Sequence, residues 1–293
     1  MTEDTLSVSI IIPTYNSART LRSCLKSIEN QSYPKSRIEV IVVDKLSMDD
    51  TPEIVREFGA KLISIKAGRS AARNIGVKVA KGNYILFLDS DMILSPRVIE
   101  ECVKKMEGNK SLVGLYIPEK VVGSGFWVKV RNFERSFYNG TPIDAVRFLR
   151  KDVFFKVGGF DEELYAGEDW DLDRRIQQIG EIGIIDSPLY HDEGKFDIKE
   201  YLRKKRHYSR GCIRYAQKWG EDDPIIQKQL GIKYRLLDVF VENGKWKKMI
   251  RNPSLVLGLY FLRFMIGLQY LLERTLGLRG NEIISGRPPT SIR

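Results

Sequence analysis

The sequence predicts an α/β protein with an open, mostly parallel sheet covered by helices on both faces, continued by a helical C-terminal region. Continuous apolar runs at residues 8–13 (VSIIIP), 39–44 (EVIVVD) and 83–88 (NYILFL) alternate with stretches of helical periodicity. Unbroken runs of this kind suit parallel strands buried on both faces. Of 293 residues, 43% are hydrophobic and 29% charged, which argues against a disordered chain and against a polytopic membrane protein.

Residues 8–13 form the first strand. Leu21, Leu25 and Ile28 repeat at helical spacing, so residues 18–28 form a helix, and residues 39–44 return to strand and complete a βαβ unit. Pro52 in a first turn marks a helix over residues 51–58, followed by a strand at 61–65 and a helix at 71–80. Residues 83–88 make the next strand, and residues 96–106 a further helix. Such alternation specifies a parallel sheet with helices on both sides.

Ligands of open α/β sheets bind beyond the carboxyl ends of the strands. Three of these ends are polar: Pro13-Thr14-Tyr15-Asn16, Asp44, and Asp89-Ser90-Asp91. Asp44 can accept the imide N–H of a uracil or guanine ring while Tyr15 packs on its face; a helix cap or turn is the plainer alternative. Asp89 and Asp91 lie one residue apart, so in an extended segment they point the same way and can share a divalent cation with phosphates. Two carboxylates that close need a cation or a proton between them, unless they belong to an ordinary acidic turn. Neither a P-loop lysine motif nor a glycine-rich dinucleotide fingerprint is present, which lowers kinases and dehydrogenases.

Lys and Arg outnumber Asp and Glu 48 to 38, and the formal charge of +10 favours an anionic partner. Cys24, Cys102 and Cys212 are odd in number and lack Cys-x-x-Cys spacing, which points to neither a zinc site nor a disulfide framework and suits a reducing cytoplasm. The short acidic start is unlike a signal peptide, so export is not expected.

Taken together, VSIIIPTYN, VVDKLSMDDT, GRSAARNIGVKVAKGNYILFLDSDM, VGGFDEEL and AGEDWDLDRRIQQIG resemble, in order and spacing, the family 2 glycosyltransferases with a GT-A (Rossmann-like) fold, over roughly residues 7–191. The resemblance implies a metal-dependent, inverting transfer of a hexose, mannose or glucose, from a GDP- or UDP-linked donor. It implies a donor site of Pro13, Thr14, Tyr15, Asn16, Asp44, Arg69, Arg73, Asp89 and Ser90, with Arg73 in the diphosphate region. It makes Asp91 the direct ligand of a manganese or magnesium ion, with Asp89 beside it and His191 of LYHDEG as an added imidazole ligand. Asp169 looks like the catalytic base, with Glu168 next to it and Trp170 on the acceptor side; Arg147 is a candidate contact to phosphate or to the acceptor side, a surface salt bridge being the alternative.

The chemistry suits those roles. A diphosphate leaves readily only when its developing charge is neutralised, and a cation held by carboxylates does this. The attacking hydroxyl must lose a proton, which a carboxylate on the opposite face of the sugar can take, with inversion as the outcome. An acid-rich first helical turn favoured by the helix dipole is the alternative for Glu168, Asp169 and Asp171. Two departures stand out: Lys45 occupies the place of a second carboxylate after Asp44, and residues 204–208 (KKRHY) replace the Gln-x-x-Arg-Trp of processive members. Processive synthesis is therefore disfavoured.

Residues 197–219 interleave basic residues with Tyr201, Tyr208, Tyr215 and Trp219, and residues 254–278 are apolar but interrupted by Arg263, Gln269 and Glu273. This divides the chain into a catalytic, nucleotide-sugar-binding domain at 1–196 and a helical region at 197–293. The second suits a helix lying in the headgroup layer better than a span, a solvated capping helix being the alternative. The expected location is the cytoplasmic face of the cell membrane, peripheral or with one short inserted helix, and the expected acceptor is lipid-linked or a glycan. Nucleic-acid binding leaves the paired carboxylates unexplained. An inactive transferase-like scaffold is opposed by the joint presence of Asp89, Asp91 and Asp169.

Overall fold

In the computed structural model, which describes residues 7–275, β1 (Val8–Thr14), α1 (Ala18–Glu29), β2 (Ile38–Asp44), α2 (Thr51–Glu57), β3 (Lys61–Ser64), α3 (Arg69–Val79) and β4 (Tyr84–Phe87) follow the expected alternation, with ends moved by one or two residues. Then come β5 (Met92–Leu94), α4 (Val98–Gly108), β6 (Leu112–Tyr116), β7 (Glu119–Ser124), α5 (Phe126–Arg135), β8 (Phe148–Arg150), α6 (Lys151–Lys156), α7 (Glu168–Gln177), β9 (Glu181–Ile184) and β10 (Leu189–Lys195). Seven strands form the main sheet in the order β3-β2-β1-β4-β8-β6-β9. The strands β1 to β4 run parallel, β8 is antiparallel to both neighbours, and β9 is parallel to β6.

Alternate residues of a strand face opposite sides of its sheet, and β1 shows the result. Ile10 and Ile12 pack with Leu21, Cys24 and Leu25 of α1 and with Ile99 and Cys102 of α4. Ile11 packs on the other side with Val77 of α3, Phe154 of α6 and Leu172 of α7. All three isoleucines are fully buried, which is why the run carries no polar alternation.

A second sheet, ordered β5-β10-β7, stands at the carboxyl ends of the main strands. In it β10 runs antiparallel to β5 and parallel to β7, with His191 opposite Met92. Its strands are short, and LYHDEGK of β10 buries only Leu189 fully, so no apolar periodicity announces it.

Beyond β10 the chain is helical: α8 (Ile198–Trp219), α9 (Pro224–Leu230), a π-helical turn (Tyr234–Asp238), α10 (Val239–Val241), α11 (Trp246–Ile250) and α12 (Pro253–Thr275). The side chain of Asp197 caps α8 by accepting from the Glu200 N–H at 2.9 Å. These helices share a core with the catalytic-side helix α5: Phe133 and Phe137 pack with Phe240, Leu259 and Leu262. At the heart of this junction Glu134, 2% exposed, accepts from Tyr138 Oη at 2.8 Å and Arg263 Nη2 at 2.5 Å, and also binds Arg131. Among the described residues no helix is long and apolar enough to cross a membrane. The expected apolar segment ends at residue 278, and its last three residues lie outside the described ones.

Candidate active site

The paired register of β1 and β2 sets Thr14 beside Asp44. Thr14 Oγ1 donates to Asp44 Oδ1 at 2.8 Å, and Ser47 donates twice more, from its N–H at 2.8 Å and its hydroxyl at 2.6 Å. Asp44 is 1% exposed. The expected open acceptor for a base is thus a carboxylate already holding three donors, and it does not line the cleft. Asn16 takes a left-handed φ of 49°, accepts from Met48 N–H at 2.9 Å and gives its own N–H to Ser47 Oγ at 2.7 Å. It fastens the two loops together. What faces the cleft here is Pro13, Thr14, Tyr15 and Lys45, with the Lys45 ammonium 5.3 Å from the centre of the Tyr15 ring.

These residues open into a cavity of about 820 Å³ whose walls also include Arg69, Asp89, Ser90, Asp91, His191 and, from α8, Tyr201, Lys204, Lys205 and Tyr208. The size lies within the range of small-molecule and cofactor sites. Tyr201, Lys204, Lys205 and Tyr208 recur at one-turn intervals and so share a face of α8. The sequence reading gave this helix to a membrane surface; in the structure that face closes the cleft. The spacing of these four residues was the available signal.

The small sheet explains the metal-side geometry. It places β10 against β5, so that Asp192 N–H donates to Asp91 O at 2.9 Å and His191 comes beside Asp91. His191 Nε2 lies 3.2 Å from Asp91 Oδ2, and its Nδ1 lies 3.1 Å from Glu119 Oε1. Burial opposes its charge, but the hydrogen bonds to Asp91 and Glu119 prevail and push His191 up to about 10. Glu119 was not anticipated, because nothing in EKVVGS marks it as the partner of a residue 72 positions away.

Asp89 behaves differently from Asp91. Its Oδ1 accepts from Arg73 Nη2 at 2.8 Å and its Oδ2 lies 3.8 Å from Arg147. Burial works against its charge, yet Arg73, Arg147 and Arg69 hold its carboxyl well below the usual carboxylate range. The charge of Asp89 is therefore balanced by arginine. Among the described residues there is no group of three or more His, Cys, Asp or Glu side chains arranged to hold a metal. Asp91 and His191 form a pair, with Glu119 orienting the imidazole as a carboxylate does behind many metal-bound histidines. Such a pair fits magnesium or manganese, which keep several positions for water and substrate phosphate.

Arg69 and Arg73 lie one turn apart on α3. Of the two, Arg69 lines the cavity, whereas Arg73, expected in the diphosphate region, is 1% exposed. It lies beneath, with Nη1 donating to Asp169 Oδ1 at 2.6 Å while Nη2 holds Asp89. Asn74, next on the helix, grips the loop before α7 by donating to Phe160 O and accepting from Phe160 N–H, both at 2.9 Å. Gly159 there has φ 71°, and a Cβ would stand 2.8 Å from Asn74 Oδ1.

Glu168 and Asp169 open α7 after Gly167, which is left-handed at φ 77°. A Cβ on Gly167 would meet Tyr215 of α8 at 2.9 Å, and one on Gly211 of α8 would meet Ala166 at 2.5 Å, so α8 is seated directly on the turn that carries the acids. Glu168 is 1% exposed and lies 2.6 Å from Arg69. Burial and the neighbouring Asp169 push it up to about 7 against the pull of Arg69 and Arg73. Placed among the catalytic residues by the sequence, Glu168 instead faces inward and positions Arg69. The side chain of Asp169 is 44% exposed; Arg73 holds its Oδ1, and it stands outside the residues that line the cavity. Trp170 and Arg147, expected on the acceptor side, also turn inward. Trp170 Nε1 donates to Ile143 O at 3.0 Å and its ring packs near Tyr215, and Arg147 binds Glu119 at 3.0 Å behind Asp89.

One row of alternating charge results: Asp169, Arg73, Asp89, Arg147, Glu119, His191 and Asp91, each in contact with the next. A sheet of this order with an Asp-Ser-Asp turn, a facing histidine and an acid at the start of α7 defines a glycosyltransferase fold of the GT-A class. Residues 9–160, about half of the chain, match the family model described as Glycosyl transferase family 2, and the chain belongs to that family. Glycosyltransferase AglE of Haloferax volcanii is 31% identical over 198 residues, covering 61% of this chain and 64% of its own. The poly(ribitol-phosphate) beta-N-acetylglucosaminyltransferase TarS of Staphylococcus aureus is 33% identical over 128 residues, 41% of this chain and 22% of its own. The chain thus spans less than two thirds of these relatives. Among solved structures, mannosyltransferase PcManGT from Pyrobaculum calidifontis, in complex with GDP-Man and Mn2+, superposes with a TM-score of 0.58 at 19% identity, covering 94% of this chain and 81% of that one. TarS 1–349 in complex with UDP-GlcNAc gives 0.55 at 20% identity, covering 86% and 78%. At these identities the structures bear on the fold alone.

Proposed function

We propose that the chain is an inverting glycosyltransferase that moves a hexose, mannose or glucose, from a GDP- or UDP-linked donor to a lipid-linked or glycan acceptor. The observation that carries this is one cleft joining an aromatic strand end at Tyr15 to the Asp91 and His191 pair, with Asp169 tied to Asp89 through a single buried arginine. Tyr15, beside Lys45, offers a face for the base, and Arg69 offers charge to the diphosphate. Asp91 and His191 would hold a divalent cation, which supplies charge neutralisation to the departing diphosphate. Asp169 takes the proton of the acceptor hydroxyl as that oxygen bonds to the anomeric carbon and the bond to the diphosphate breaks. The names of relatives that bind UDP-GlcNAc or GDP-Man are consistent with either donor base.

Thermal-shift titration with UDP and GDP, each with and without manganese or magnesium, tests the donor site. One nucleotide is expected to raise the melting temperature only when metal is present; at a hundredfold excess over Kd the stabilisation is about 2.7 kcal/mol. Asp91→Ala is expected to remove the metal-dependent part. A folded variant that keeps it would refute the assignment of Asp91.

The membrane-surface location rests on α12, where Leu257, Phe261, Phe264, Leu268 and Leu271 are exposed at alternating intervals of four and three residues and so form one stripe. Trp246 and Ile250 are exposed nearby in sequence, beside the exposed Lys247 and Arg251, while Lys245 and Lys248 turn inward to Glu242 and Ser136. An apolar stripe with basic neighbours suits insertion into the headgroup layer, each basic residue adding about 1 kcal/mol at an anionic surface. In flotation with anionic vesicles the chain is expected to rise with the lipid, weakly salt-sensitive, and Phe261→Glu with Phe264→Glu to remain below. A chain that stays in the soluble fraction with every lipid at low salt counts against membrane association.

A further inference from the structure

Positive charge is in excess where α5 and α8 line the cavity and α12 packs against them. Arg131 binds Glu134 and reaches Glu193 at 3.2 Å, Arg263 binds Glu134, and the Arg235 guanidinium lies 5.5 Å from the centre of the Tyr138 ring. Lys205 enters the same space from α8 and lines the cavity. Among the described residues no carboxylate stands at ion-pair distance from it; its ammonium lies 5.5 Å from the centre of the Tyr201 ring. Four cations thus face the two carboxylates Glu134 and Glu193. Arg235 Nη1 is buried without a hydrogen-bond partner. Burial, together with Arg131, Arg235 and Arg263, outweighs Glu134 and brings Lys205 down to about 7.

Lys205 is partly buried at the cavity wall, and a cation held there without a paired carboxylate is stabilised when an anion joins it. The donor diphosphate already has its partners elsewhere in the cleft, in Arg69 and in the cation site of Asp91 and His191. We propose that Lys205 is the centre of a second anion site, which binds a phosphate group carried by the acceptor. The inference rests on the donor reading above. A phosphate on a lipid and a phosphate on a polymer share this chemistry, and both would enter along the α8 wall, where Lys204 stands at the rim paired with Glu200 at 2.9 Å.

The full chain, saturated with whichever of UDP or GDP stabilises it and with magnesium, is titrated calorimetrically with inorganic phosphate and with decyl phosphate below its micellar concentration. One phosphate is expected to bind per chain despite the filled donor site. Lys205→Met is expected to weaken it about tenfold or more, the loss of one charged hydrogen bond, and Lys205→Arg to restore it. Tighter binding of decyl phosphate marks a lipid-borne phosphate; equal binding marks a polymer or free phosphate. The methionine variant exchanges an uncompensated charge for a side chain of similar length, so an unchanged or higher melting temperature shows that it folds. The proposal is overturned if nucleotide-filled protein takes up no phosphate, if Lys205→Met binds it as well as the parent, or if that variant loses nucleotide affinity in the same proportion. If neither nucleotide binds, the donor reading fails, and the phosphate titration of nucleotide-free protein still decides the role of Lys205.

Discussion

Asp169→Asn is expected to lower turnover by roughly a hundredfold or more while leaving nucleotide affinity close to that of the parent. The amide keeps an oxygen for Arg73 Nη1, now 2.6 Å from Asp169 Oδ1, so Arg73 and the Asp89 it holds stay in place. What is lost is the capacity to accept a proton. A hundredfold corresponds to about 2.7 kcal/mol of transition-state stabilisation. Single-turnover transfer, with nucleotide binding measured in parallel, separates the two effects. Near-normal turnover would move the base away from this residue, and a matching loss of nucleotide affinity would show that the substitution has disturbed Arg73 instead.

The largest effect on stability is expected at Glu134. This carboxylate joins α5 to α12 through Arg131, Arg263 and Tyr138, and Glu134→Ala leaves two buried guanidinium groups facing each other. Breaking a buried ion pair from one side costs about 3–5 kcal/mol, and chemical denaturation measures it. A loss below about 1 kcal/mol would mean that apolar packing of the cluster around Phe137 and Phe240 suffices to dock the C-terminal helices. The pH dependence has a definite sign. Burial disfavours the charge of Glu134, but Arg263 and Arg131 hold its carboxyl well below the usual range. A depressed acid stabilises the fold above its unfolded value, about 4.3, and that contribution fades as pH falls. The melting temperature of the parent is therefore expected to drop below about pH 4 more steeply than that of Glu134→Gln.

The half of the fold that the sequence announces is the half made of buried strands. β1, β2 and β4 are largely covered on both faces, so most of their residues are apolar, and the polar residues that follow them mark the cleft. The three-stranded sheet gives no such signal, because β10 is half-exposed along nearly its whole length and its pairing with β5 and β7 is long-range. For that reason His191 could be named while Glu119 could not. The same limit explains Arg73, Arg147 and Trp170: their motifs place them near the chemistry, but only tertiary packing decides whether a side chain faces the cleft or supports one that does. The face of α8 was visible as a helical stripe, yet lysines and tyrosines in alternation suit a lipid surface and a phosphate-binding wall equally well in composition.

The row from Asp169 to Asp91 constrains how this site can diverge. Glu119 is the most connected member, held by Arg135 at 3.0 Å as well as by Arg147 and His191, so deleting it alone leaves three cations short of a partner, whereas removing it with Arg147 leaves Arg135 with Asp144 and His191 with Asp91. Sequences that drift from this one should therefore lose Arg147 and Glu119 together rather than singly, and a library that varies such positions one at a time will under-sample the functional solutions.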